Sequence, residues 1–239
     1  MNGNKASGKT AITIILIAVV FVAVLAGSIG LQLAASPDFS GFKKEPLPDP
    51  DVNRKPATTG ETENGAAEKE EYNWKDHPVF IIGDSLTQGA RKEIAKVVPD
   101  STIDAKTNRD MSTGVSILGS WEDSGVLPDD AIIVICLANN ITDTTVGDAQ
   151  QIVDMIKPGQ SLIMMTGHGR SNMTPANEFI RSLPRAYPFI TVADWDLTVA
   201  QSPSLLSDDG IHIARNQGNE LYAELILRAL EATQPMPQM

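Results

Sequence analysis

The stretch VFIIGDSLTQGARKEIAKVV, residues 79–98, changes its periodicity halfway along. Val79 to Ile82 is an unbroken apolar run, the pattern of a strand buried on both faces of a sheet. From Thr87 to Val98 the apolar residues return at helical spacing. Only Gly83-Asp84-Ser85-Leu86 separates the two, and Gly83 permits a sharp exit from the strand. A strand that turns this tightly into a helix is the opening of a βαβ unit.

The same alternation continues downstream. Further strands are expected at 102–105, 132–137, 162–166 and 190–193. Helical stretches are expected near 111–122, 146–156, 175–183 and 217–231. Strands separated by helix-length segments imply a parallel sheet with helices on both faces. The expectation for 77–239 is a three-layer α/β/α domain of flavodoxin-like character.

Upstream the composition is different. Residues 11–35 read AITIILIAVVFVAVLAGSIGLQLAA, with no charged side chain, and Lys5 and Lys9 precede them. A run of this length suffices for a helix across a hydrocarbon core of roughly 30 Å. The flanking lysines predict residues 1–10 on the cytoplasmic side. A signal-anchor is expected over 11–35, with a cleaved signal peptide as the rival reading, since Leu33-Ala34-Ala35 offers small residues near a cut. Either way the remainder is placed outside the cytoplasm. Residues 36–76 are rich in Pro and polar side chains and predict a disordered linker, with Trp74 inside it.

The chain's 239 residues carry a formal net charge of -11, which argues against binding to nucleic acid. Its single cysteine, Cys136, lies in an apolar run and reads as a buried thiol. Neither a metal site nor a cofactor is expected: no two histidines stand at ligand spacing, and phosphate-binding glycine loops are missing.

In an open parallel sheet, active sites lie at the carboxyl ends of the strands. Ser85 follows the first strand, where it reads either as a helix N-cap or as a nucleophile beside free backbone N–H groups. A serine nucleophile requires a base, and there are three histidines. His77 precedes the first strand, on the wrong edge. His168 follows the fourth strand, in Thr166-Gly167-His168-Gly169-Arg170, and is a candidate for substrate contact together with Arg170. His212 closes Asp208-Asp209-Gly210-Ile211-His212, just before the last helix. Asp-Gly is a common turn pair, but the spacing of Asp209 from His212 lets one short loop carry both base and orienting carboxylate.

Taken together, Gly83-Asp84-Ser85-Leu86 and Asp209-Gly210-Ile211-His212 resemble the SGNH/GDSL hydrolase family, over roughly residues 79–231. The resemblance is nearest to the extracytoplasmic SGNH domain of bacterial peptidoglycan O-acetyltransferases, through Asp104-Ala105-Lys106 and Asp194-Trp195 as well. It implies Ser85, Asp209 and His212 as catalytic residues. It places Asn140, in Leu137-Ala138-Asn139-Asn140, at the family's Asn block, with Ala138 where glycine is usual. Asn108 takes the position of the second oxyanion-hole donor, next to the N–H of Ser85, where Gly or Ser is usual; Gly114 is the fallback. Arg109 either orients its loop or meets an anionic group, and Trp195 is a candidate for stacking on a sugar, whereas Trp121 reads as core. The implied activity is transfer or removal of acetyl groups on peptidoglycan or another envelope glycan through an acyl-serine. The family's multi-pass acyltransferase domain has no counterpart in this sequence, so a separate membrane protein is expected to supply the acyl group. A non-catalytic envelope module that keeps the fold and binds glycan or protein is the competing reading.

Overall fold

The computed structural model describes residues 72–214 and 217–238. Five strands alternate with helices: β1 Val79–Gly83, α1 Ser85–Val97, β2 Thr102–Ala105, α2 Met111–Asp123, β3 Ile132–Cys136, α3 Thr145–Met155, β4 Ser161–Met165, α4 Thr174–Ala186, β5 Ile190–Ala193, α5 Trp195–Gln201 and α6 Gln217–Ala232. Every strand pair is parallel, in the order β2-β1-β3-β4-β5. The expected three-layer, flavodoxin-like domain is what forms.

The sheet is buried on both faces because β1, β3 and β4 are buried along their whole length and almost wholly apolar. One face packs Ile81, Val134 and Ile163 against Leu86 and Ile94 of α1 and Tyr222 and Ile226 of α6. The other packs Ile82, Ile133 and Ile135 against Leu118 of α2, Ile152 of α3 and Ile180 of α4. β2, at the edge, is only half-buried.

This strand order determines where a site can form. From β1 the chain winds outward to β2, then crosses back to β3 on the other side. The crevice between the carboxyl ends of β1 and β3 is the topological switch point, where such sheets bind ligands.

Four expectations need correction. The folded unit reaches upstream of residue 77: Tyr72 and Trp74 are partly buried against the core, and Trp74–Asp76 forms a short 3-10 turn. The rings of Tyr72 and His77 stack with centroids 4.6 Å apart, so aromatic burial draws in residues that composition assigned to the linker. Ser85 is not an N-cap. Asp84 caps α1 by accepting the N–H of Leu86 at 2.9 Å, and the helix starts at Ser85. The sequence pattern gives no sign of the helix at 195–201; Asp194 caps it, accepting the N–H of Leu197 at 3.1 Å. Trp195, at its start, is fully buried and meets Tyr222 edge-to-face at 5.1 Å, so it belongs to the core and is closed to a sugar. Trp121 packs against Phe80 in the core, as expected.

Among the described residues no helix is long and apolar enough to cross a membrane. The expected anchor at 11–35 and the linker up to residue 71 lie outside the described residues.

Candidate active site

Three loops converge on the end of β1. Gly83 ends the strand so close to α1 that a Cβ there would lie 2.2 Å from Thr87 Oγ1, which leaves room for glycine alone. The next residue, Asp84, is fully buried. Its backbone N–H donates to Cys136 O of β3 at 3.2 Å. Its Oδ2 accepts Asn139 Nδ2 at 3.1 Å and Asn140 Nδ2 at 3.4 Å. Burial pushes the Asp84 carboxyl above its ordinary range, and the Asn139 amide and Leu86 N–H only partly offset this. Ser85, one residue on, is half-buried at the first position of α1.

The loop after β2 is tied to this corner from several sides. Lys106 N–H donates to Gly83 O at 3.2 Å, and Thr107 N–H donates to Gln88 Oε1 at 3.0 Å. Arg109 folds back on its own loop, giving Nη1 to Asp104 O and Nη2 to Asp104 Oδ1, both at 2.7 Å. Of the two expectations for Arg109, the structure thus favours orienting the loop. Asn108 sits at φ 60°, in the left-handed region that glycine tolerates best and asparagine better than most. That backbone shape is one asparagine adopts at lower cost than most side chains. Gly114, the fallback, is buried. It lies in α2 with a virtual Cβ 2.5 Å from Leu137 Cδ1, so it is a helix-to-sheet packing glycine.

Asn140 closes the third side. Its Nδ2 donates to Arg109 O at 2.9 Å, besides the longer contact to Asp84. The Ser85 corner, the Asn108 loop and Asn140 are therefore linked by hydrogen bonds. Asn139, which the sequence reading passes over for its neighbour, bridges further: its Oδ1 accepts the His168 N–H at 2.8 Å. Adjacent asparagines after a wholly buried strand are the signal that could have found it.

The last loop arrives pre-assembled. Leu206 and Ile213 form an antiparallel bridge, and Ala214 N–H donates to Leu205 O at 2.7 Å. Inside it, Asp209 Oδ1 accepts the N–H groups of Ile211 and His212 and the hydroxyl of Ser207, each at 2.9 Å. Asp209 Oδ2 meets His212 Nδ1 at 2.7 Å. The His212 imidazole and then these backbone donors hold the Asp209 carboxyl well below the usual carboxylate range. Ser85 and His212 line one cleft of about 430 Å³ with Gly89, Lys92, Glu93, Ile213 and Asn219. Although both residues line that cleft, no direct hydrogen bond joins the Ser85 hydroxyl to the His212 ring.

The other candidates lie apart. His168 lines a second cleft of about 250 Å³ with Asn177, Arg181 and Asp196, and its Nδ1 meets Asp196 Oδ1 at 2.9 Å. Arg170 is exposed. His77 sits at the amino end of β1 beside Asp130, 3.2 Å away, on the wrong edge as expected. Cys136 is buried, its thiol pushed up to about 12 by that burial.

No family model matches the chain. It is 24% identical over 210 residues to "Putative peptidoglycan O-acetyltransferase YrhL" of Bacillus subtilis (strain 168), a match covering 81% of this chain and 32% of that protein. The chain thus spans about a third of that relative's length. The C-terminal catalytic domain of Streptococcus pneumoniae peptidoglycan O-acetyltransferase A, solved with a methylsulfonyl adduct, superimposes with a TM-score of 0.62 at 23% identity, covering 68% of this chain and 98% of that one. A lipolytic G-D-S-L protein from Veillonella parvula DSM 2008 superimposes at 0.52 with 14% identity, covering 64% and 97%. The fold is therefore shared with the group to which the sequence blocks point.

Proposed function

We propose that the chain is an SGNH-type serine enzyme that moves or removes acetyl groups on peptidoglycan or another envelope glycan. His212 Nε2 takes the proton of Ser85 as its oxygen attacks the ester carbonyl. Asp209 holds Nδ1–H and balances the imidazolium charge. The tetrahedral oxyanion is met by the N–H groups of Ser85 and Asn108 and by the amide of Asn140, whose long contact to Asp84 is the weaker of its two and the easier to exchange. Collapse expels the donor's alcohol, protonated by His212, and leaves acetyl on Ser85. Water or a sugar hydroxyl then attacks, giving esterase or transferase. We favour transferase, with a separate membrane protein as acyl donor and the 11–35 segment as a signal-anchor that keeps the domain on the extracytoplasmic face of the membrane.

One observation supports this reading most: the helix that starts at Ser85 and the loop that pairs His212 with Asp209 line the same cleft. The test is hydrolysis of a chromogenic acetyl ester by the full chain and by its Ser85→Ala variant. Turnover that the substitution abolishes supports the enzyme. Turnover indifferent to it, or none in either protein, leaves the glycan-binding module. Adding a muro-oligosaccharide acceptor and following its mass separates transferase from esterase.

A further inference from the structure

The cleft beside Ser85 runs along α1, over Gly89 to Lys92. Seven residues of helix make two turns, so Ser85 and Lys92 share one stripe of α1, about 10 Å apart along the axis. Gly89 lies between them, and its situation is unlike that of Gly83, Gly114 or Gly218. At those three an added Cβ would strike a neighbour at 2.2, 2.5 and 2.4 Å, so packing requires glycine. At Gly89 a Cβ would meet nothing within 4 Å. A glycine in the middle of an exposed helix costs about 0.5–1 kcal/mol relative to alanine. No contact within the fold accounts for it here; its effect is to leave the groove floor bare, so that a ligand can lie against the helix backbone.

Lys92, at the end of this groove, is exposed and makes no hydrogen bond or ion pair among the described residues. The neighbouring carboxylate does not neutralise it: Glu93 is paired with Lys96, with its side chain only 18% exposed. The floor of the cleft therefore ends in one uncompensated cation, on a chain whose formal net charge is -11.

Building on the reading of Ser85 as acyl carrier, we infer that this groove binds a glycan carrying an anionic substituent, which Lys92 pairs with two helical turns from the reacting hydroxyl. Gly89 gives the intervening sugar its closest approach to the protein. The ligand chemistry is an anionic saccharide, with the charge on a carboxylate or a phosphate.

Binding can be read apart from catalysis. The full chain carrying Ser85→Ala is titrated calorimetrically with a carboxylate-bearing muro-oligosaccharide, its carboxyl-reduced neutral analogue and a phosphorylated saccharide of the same length. One or both anionic ligands should bind about tenfold more tightly than the neutral one, the size of one charge-assisted contact. Which anion wins identifies the source of the charge. Adding Lys92→Gln should abolish the preference, and Lys92→Arg should restore it. Gly89→Leu should weaken all three ligands about tenfold while the Tm holds or rises, since leucine is the better helix former. Equal binding of the three ligands, no binding of any, or a preference that survives Lys92→Gln overturns the inference. Failure of the catalytic reading shows elsewhere, as absent Ser85-dependent ester turnover in the otherwise unaltered chain.

Discussion

The corner that presents Ser85 and the loop that presents His212 are built on opposite plans. The corner is buried and tied to the rest of the domain: Asp84 alone joins the end of β1 to α1, β3 and the two asparagines beyond it. The loop is exposed, with the side chains of His212 and Asp209 showing 55% and 44% of their surface, and most of its bonds are its own. On the proposed reading, the nucleophile is thus held by the fold and the base by a turn. Substitution in the loop should cost chemistry and leave stability untouched, whereas substitution in the corner should cost both.

The largest expected effect tests the loop. His212→Ala should lower kcat for acetyl-ester hydrolysis by about 10³–10⁶-fold, the range for members of a catalytic triad, with an unchanged Tm. A shifted Tm would show that the loop also supports the fold. Next comes the bridge between the regions: Asn140→Ala should cost about 10²–10³ in kcat, as loss of one oxyanion donor does. The structure adds a second consequence. Because the Asn140 amide also holds Arg109 O and Asp84, the same variant should unfold at lower urea, which His212→Ala should not. Gly83→Ala probes the corner alone. Its Cβ would collide with Thr87 at 2.2–2.6 Å, and such overpacking costs about 1–3 kcal/mol in urea unfolding.

The smallest effect is in pH dependence. Burial raises the folded-state pKa of Asp84, so its protonated form favours folding and its ionisation disfavours it. An asparagine side chain at this position would still cap the helix without titrating. In Asp84→Asn the Tm difference from the parent should therefore move toward the variant as pH rises from the ordinary carboxylate value of 3.8 through the raised one. Asp209 behaves oppositely. Its carboxyl is held below the usual range, so it stays ionised through neutral pH and should add no inflection to the kcat/KM profile at or above 3.8. A matching acid limb that vanishes in Asp209→Asn would break this contrast between the regions.

Much of the domain is legible in the chain itself, because the signals involved are local. A run such as Val79 to Ile82 states by composition that both its faces are buried, and the helical period after it states where the chain turns. Parallel α/β topology follows from repetition of that pattern. The short α5 escapes because seven residues are too few to establish a period, and its start depends on the Asp194 cap. Trp195 reads in sequence as a ring after a strand; only the arrival of Tyr222 from α6 determines that it is buried.

The candidate site divides in the same way. Asp209 and His212 pair within one turn, so their spacing in the sequence already allows the pair. The hydrogen-bonded approach of the Ser85 corner, the loop that carries Asn108, and Asn140 required the order β2-β1-β3, which brings separate strand ends to one crevice. The roles of Asp84 and Asn139 as ties, of Gly114 as packing and of Gly89 as open floor are likewise decided by neighbours far away in the chain. Periodicity and turn chemistry act over a few residues and can be read in order. Which surfaces lie opposite one another is a property of non-local packing, and only the folded structure decides it.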